Sequence, residues 1–263
     1  MLEDISALEN CTVSSVPDGY DAFLLAQLRE KSDRDILYIV SDGVALENTA
    51  HILSVIRPET EVLKFPAWDT VPYDRVSPNV NIVAARIGAL SALAQNPSPK
   101  KPRIIVTSAG AAIQRLPLKK IFLNSMKNVS VGGELNFNDF VHYAVVNGYN
   151  RVEQVMEPGE YAVRGDILDI FPVGSELPLR IDLFGDEVEN IRTFDPLTQR
   201  TAGELKSYTF QVMGEVALDN NTIKTFRAKY REAFGSGGTG DELYESISNS
   251  QKYIGMENWL PFF

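Results

Sequence analysis

Cysteine is almost missing from this sequence: Cys11 is the only one in 263 residues. An intramolecular disulfide is excluded, and a reducing, cytoplasmic setting is expected. Histidine is nearly as scarce, with His51 and His142 on separate predicted helices and no other His or Cys near either. No metal site is expected from them. Positive charge is in deficit, since 25 Lys and Arg against 35 Asp and Glu leave a formal net charge of -10. That balance argues against nucleic-acid binding by bulk electrostatics, although a local basic patch stays open. No Gly-Lys pair occurs anywhere in the chain. A nucleotide-hydrolysing phosphate loop needs one, because glycine amides wrap the phosphates and the lysine neutralises them. The acidic N-terminus MLEDISALEN holds no long apolar run, so neither a signal peptide nor a membrane span is expected. No Ser-His-Asp order with a nucleophile elbow is present either. Hydrophobic content of 44% and charged content of 23% remain, enough for a soluble globular chain of two or three structural units.

Residues 1–117 read as an α/β unit. Helical spacing marks residues 18–31, with Asp18 as candidate N-cap, then residues 44–56 and residues 79–95. The last of these is stopped by Asn96-Pro97-Ser98-Pro99. Apolar runs at 35–40, 61–65 and 103–107 read as buried strands. Alternating strands and helices imply a mainly parallel sheet covered on both faces. Ahead of the first helix stands Ser14-Ser15-Val16-Pro17-Asp18-Gly19-Tyr20-Asp21, with one glycine, no lysine and two aspartates that would repel phosphate. ATP hydrolysis is therefore not expected. Trp68, Asp69, Tyr73 and Asp74 fit an ordered loop packed over the sheet end better than a catalytic cluster.

Residues 118–211 read as a small α+β domain inserted into the α/β chain. A helix over 139–147, capped by Asn138 and ended by Gly148, precedes three or four antiparallel strands in residues 151–200. Residues 161–171 read as one strand, with Arg164 beside Ala162, Asp166, Leu168 and Ile170, and with Asp166 or Asp169 as its ion-pair candidates. In the next strand Leu177, Leu179, Ile181 and Leu183 share one face, and Arg180, Asp182 and Phe184 the other. If Gly185-Asp186 is a two-residue hairpin loop, Leu183 sits opposite Val188 and Phe184 opposite Glu187. The apolar face then buries, and Arg180 and Phe184 look outward. Arginine and aromatics are enriched at binding hot spots, which makes this face a candidate docking surface. Asp166, Asp169, Asp182, Asp186 and Glu187 fit turn chemistry and a solvated face better than an acid-base or magnesium pair.

Residues 212–263 begin with an amphipathic helix over 220–234, followed by the connector Gly235-Ser236-Gly237-Gly238-Thr239-Gly240. That segment matches G-x-G-x-x-G but follows a helix rather than a strand, so a dinucleotide site is rejected. A short helix capped by Asp241 comes next. The closing Trp259, Phe262 and Phe263 are expected to need a partner surface, as in a chain cut from a longer protein.

The stretches GEYAVRGDILDIFP and LPLRIDLFGDEVENIRTFDPLTQRT resemble domain 2 of the UvrB homology module, and FPAWDTVPYDRVSP resembles the form found in the transcription-repair coupling factor (Mfd) family. The resemblance implies a degenerate RecA-like lobe at 1–117, a small UvrA-binding domain at 118–211, and the start of a returning lobe at 212–263. It implies docking of UvrA through Arg164, Arg180 and Phe184, recruiting nucleotide excision repair to stalled RNA polymerase. No catalytic residue, metal or cofactor is implied for this stretch. In the full-length family protein, RNA polymerase, double-stranded DNA, ATP and magnesium engage other parts. The rival expectation is a UvrB-like ATP-dependent damage-verification component, which the missing phosphate loop opposes. A monomer is expected.

Overall fold

The computed structural model describes residues 10, 12–95, 102–124, 126–235 and 240–263. Cys11, the Asn96-to-Pro99 helix stop and residues 236–239 of the glycine-rich connector lie outside the described residues. The chain divides into two compact units, one of Met1–Trp68 with Gly88–Gln114, the other of Asp69–Ile87 with Arg115–Phe263.

In the first unit, α1 (Tyr20–Lys31), β1 (Ile36–Val40), α2 (Gly43–Ile56), β2 (Val62–Phe65), β3 (Ile104–Ser108) and the single turn α4 (Ala109–Ala112) follow in order. The helix α3 (Val80–Gln95) enters this unit at Gly88. The sheet is parallel in the order β1-β3-β2. Every residue of the central β3 is buried. Ile104 and Val106 pack against Ala22, Leu25, Leu46 and Leu53 of α1 and α2. Ile105 takes the opposite face with Phe65, Ala89 and Ala111. Arg103, 1% exposed, closes one end of β3. Its guanidinium donates to the Asp35 carboxylate at 2.6 and 3.2 Å and to the Ala92 carbonyl at 3.1 Å.

Two expectations fail in this unit. The sheet is not covered throughout, because β1 is an edge strand and leaves Leu37 and Ile39 62% and 51% exposed. An apolar run reads alike at an edge and at a centre. Nor does Asp18 cap α1: the cap position is Gly19, in the left-handed region with φ 79°, without a side-chain bond. A Cβ there would stand 2.8 Å from Ile52 Cδ1, so glycine serves close approach as well as backbone conformation.

The second unit carries α5 (Lys119–Asn124), β4 (Lys127–Ser130), α6 (Phe137–Val146), β5 (Asn150–Arg151), β6 (Glu160–Arg164), β7 (Ile167–Ile170), β8 (Leu179–Phe184), β9 (Glu187–Phe194), β10 (Thr201–Leu205), β11 (Ser207–Phe210), α7 (Asn220–Phe234) and α8 (Glu242–Ser248). Six strands form a sheet in the order β10-β9-β8-β7-β6-β5, antiparallel except for the β5–β6 pair. Strands β4 and β11 pair separately. The helix α6 starts two residues earlier than expected, with Asn136 as its cap. It lays Phe140 and Ala144 onto Leu168, Ile170, Leu179, Ile181 and Leu183, the inner face of the sheet.

The terminal aromatics find partners within the chain, and each keeps part of its surface exposed. Residues Met256–Phe262 form a 3-10 helix. Trp259, Phe262 and Phe263 pack with Phe226, Tyr230 and Phe234 of α7, at ring separations of 4.9–6.4 Å. The segment around Trp68 to Asp74 forms neither helix nor strand. Asn258 accepts from the Thr70 hydroxyl at 2.8 Å and donates to the Asp74 and Val76 carbonyls at 3.0 and 3.1 Å. Nearby, the fully buried Arg86 makes an ion pair with the buried Glu215. Among the described residues no helix is long and apolar enough to cross a membrane.

Candidate docking face on the antiparallel sheet

The strand expected over residues 161–171 is two strands. Gly165, at φ 60°, and Asp166 turn the chain between β6 and β7, pairing Arg164 with Ile167. This Gly-Asp loop repeats the one at Gly185-Asp186 that joins β8 to β9. The turn changes the company of Arg164. Leu168 and Ile170 belong to the inner core, and Arg164 instead donates through Nη2 to the Glu153 carbonyl at 2.6 Å. The second hairpin has the expected register, with Leu183 opposite Val188 and Phe184 opposite Glu187.

On β8 the alternation places Leu179, Ile181 and Leu183 inward and Arg180, Asp182 and Phe184 outward. Arg180 is not a free solvated cation. Its Nε and Nη2 each donate at 2.7 Å to the two oxygens of Asp169, directly across on β7 and 3% exposed. The guanidinium carbon stacks 4.6 Å from the Phe194 ring centre, a favourable cation–π distance. Nη2 also reaches Gln199 Oε1 at 3.4 Å. The hydrogen bond to Asp169 raises the Arg180 pKa above its ordinary value, against the opposing effect of burial. Asp169 is thus the partner of Arg180, not of Arg164. A second cross-strand pair joins Arg192 on β9 to Asp182 on β8.

The outer face has two parts. Around Arg180, a small core of Val155, Ala162, Phe171 and Phe194 lies under the loops that follow β5 and β9. Toward the hairpin tip, Phe184 stands 75% exposed, with Ile167 partly exposed and Arg164 at the neighbouring position of β6. Arg164, Arg180 and Phe184 therefore share one domain face but differ in kind: one tethered at the edge, one clamped flat, one projecting. The loop 195–200 was not singled out in the sequence. It brings Gln199 to Arg180 and leaves Leu197 77% exposed. Asp195 followed by Pro196 and Thr198 is the turn signal that marks it.

The other candidates do not gather. His51 lies on α2 and His142 on α6, and no group of three or more His, Cys, Asp or Glu able to hold a metal occurs among the described residues. Asp169 and Asp182 are committed to arginines.

A family profile described as "UvrB interaction domain" matches residues 128–213, the stretch that builds this sheet. The chain is similar to transcription-repair-coupling factors of Haemophilus influenzae, at 35% identity over 95% of this chain, and of Escherichia coli, at 32% over 92%. It is also similar to that of Rickettsia bellii, at 33% over 92% of this chain. The aligned parts make up 22%, 21% and 21% of those relatives, so the chain spans about a fifth of their length.

Proposed function

On the premise that the chain is a homologue of the transcription-repair-coupling factors and carries a UvrB interaction domain, we propose that it is a docking module for UvrA. It binds through the outer face of the antiparallel sheet and so recruits nucleotide excision repair to stalled transcription. One observation carries the reading: within the matched residues 128–213, Arg164, Arg180 and Phe184 lie on the outward face of one antiparallel sheet. Phe184 is the apolar anchor. Arg180, held flat by Asp169, presents a guanidinium whose orientation costs little to fix on binding. Arg164 supplies a further cation at the edge.

The same reading gives the module no ATP chemistry. Asp21, in the segment where a phosphate loop would lie, accepts hydrogen bonds from the Tyr38 and Thr49 hydroxyls at 2.9 and 3.0 Å. A carboxylate held there repels phosphate rather than receiving it. RNA polymerase and double-stranded DNA are partners of other parts of a longer family protein, which would supply the translocase.

Calorimetric titration of UvrA into the chain tests the proposal. Phe184→Ala is expected to weaken binding by about 2 kcal/mol, roughly thirtyfold, as for an exposed aromatic anchor. Arg180→Ala is compared only after circular dichroism shows a native fold. Absence of binding by the unaltered chain, or unchanged binding by Phe184→Ala, would refute the assignment of this face. ATP turnover by the purified chain would refute the non-catalytic reading.

A further inference from the structure

The loop 195–200 keeps a large apolar side chain in water, and it does so with a dense set of hydrogen bonds. The Asp195 carboxylate accepts from the Leu197 and Thr198 amides at 3.0 and 2.7 Å and from the Thr198 hydroxyl at 3.0 Å. Backbone bonds from Asp195 to the Arg200 carbonyl, 2.9 Å, and from Gln199 to the Asp195 carbonyl, 2.8 Å, close the loop on itself. Gln199 sits in the left-handed region at φ 59°, which is unfavourable for a residue with a Cβ. Its side chain holds that conformation by donating to the Pro196 and Val155 carbonyls at 2.7 and 3.2 Å. Its amide oxygen faces Arg180.

Ordering six residues this way opposes conformational entropy, and the Leu197 side chain returns no burial inside the domain. Among the described residues of 128–213, Leu197 and Phe184 are the two most exposed large apolar side chains, at 77% and 75%. A hydrogen-bonded loop presenting an exposed leucine loses little freedom on binding, which is the form of a preorganised apolar contact.

We propose that loop 195–200 is a second anchor of the docking face, and that Leu197 enters an apolar pocket on the same UvrA molecule that receives Phe184. Gln199 joins the loop physically to Arg180 in the middle of the strip. Arg180 and Phe184 are four residues apart on β8, about 13 Å by strand rise. The span from loop to hairpin tip fits within one interface of ordinary size. This inference rests on the UvrA-docking reading above.

The experiment titrates UvrA into the unaltered chain, Phe184→Ala, Leu197→Ala and Leu197→Glu, with thermal unfolding of each. Both Leu197 changes are at a solvent-facing position and are expected to leave the midpoint nearly unchanged. Leu197→Ala is expected to weaken binding about tenfold, and Leu197→Glu more, because a carboxylate would be desolvated in the pocket. If Phe184→Ala weakens binding while both Leu197 variants bind like the unaltered chain, the second anchor is overturned and the docking reading stands. If the unaltered chain does not bind UvrA, both fall.

Discussion

The same residue type does different work at Arg86, Arg103 and Arg180, and the burial of cation and partner taken together separates the cases. Arg86 is fully buried and its carboxylate partner Glu215 nearly so. Removing only the cation, as in Arg86→Met, strands a carboxylate in the interior and is expected to cost about 3–5 kcal/mol by urea unfolding. The double change with Glu215→Gln should cost clearly less than the sum, which is the signature of a direct pair. Arg180 is harder to use as a binding probe than the exposed Phe184, because Arg180→Ala leaves Asp169 buried without its fork. Lost affinity in that variant mixes interface and fold. At Asp35, burial pushes the carboxyl up, but hydrogen bonds and charge from Arg103 outweigh it and hold the pKa below the ordinary value. A depressed folded pKa stabilises above the unfolded value of about 4 and is lost as pH falls through the folded one. Asp35→Asn should therefore flatten the acid limb of a stability–pH curve below about pH 4, with little change in its slope above pH 5.

Elements carry a second kind of prediction. The cap Asp219 accepts from the Asn221 and Thr222 amides at 2.8 Å each, so Asp219→Ala is expected to destabilise α7 by about 1 kcal/mol in thermal unfolding. Most helices and strands were legible because apolar spacing fixes them locally: α2, β3, α7 and the β8–β9 hairpin lie where periodicity and turn residues place them. The Gly165-Asp166 turn was missed although it repeats the Gly185-Asp186 dipeptide. The apolar residues on both sides of it hid the break, and Leu168 and Ile170 were then assigned to the wrong face. The pairing of Arg180 with Asp169 was illegible for the same reason, since it depends on the β7–β8 register. Exposure along β1 was also out of reach, because strand order is decided by residues far apart in sequence. The projecting position of Phe184 needed only alternation and one turn, and so it was readable.

At the scale of the whole molecule, several buried tyrosines tie stability to alkaline pH, Tyr38 and Tyr230 through a carboxylate as well as through burial. Burial, then a hydrogen bond to Asp21, pushes the Tyr38 pKa to about 12, and burial with Asp241 does the same at Tyr230. A raised folded pKa means full stabilisation below the unfolded value of about 10, lost as pH rises toward 12. Tyr38→Phe is expected to reduce the pH dependence of stability in that window, read by denaturant midpoints at pH 9 and 11. The larger consequence concerns what can be separated from what. In the second unit, Arg86 with Glu215 and Asn258 with Thr70, Asp74 and Val76 stitch residues 69–87 to the chain beyond 212. Both hydrophobic clusters of the antiparallel sheet, by contrast, draw only on residues 129–213. A piece spanning 126–213 is therefore expected to melt cooperatively alone, while one spanning 115–263 would lack the counterpart of Glu215 and melt early. The proposed docking face is then expected to be portable: a cassette that can be grafted onto an unrelated carrier, taking its arginine clamp and both projecting apolar side chains with it.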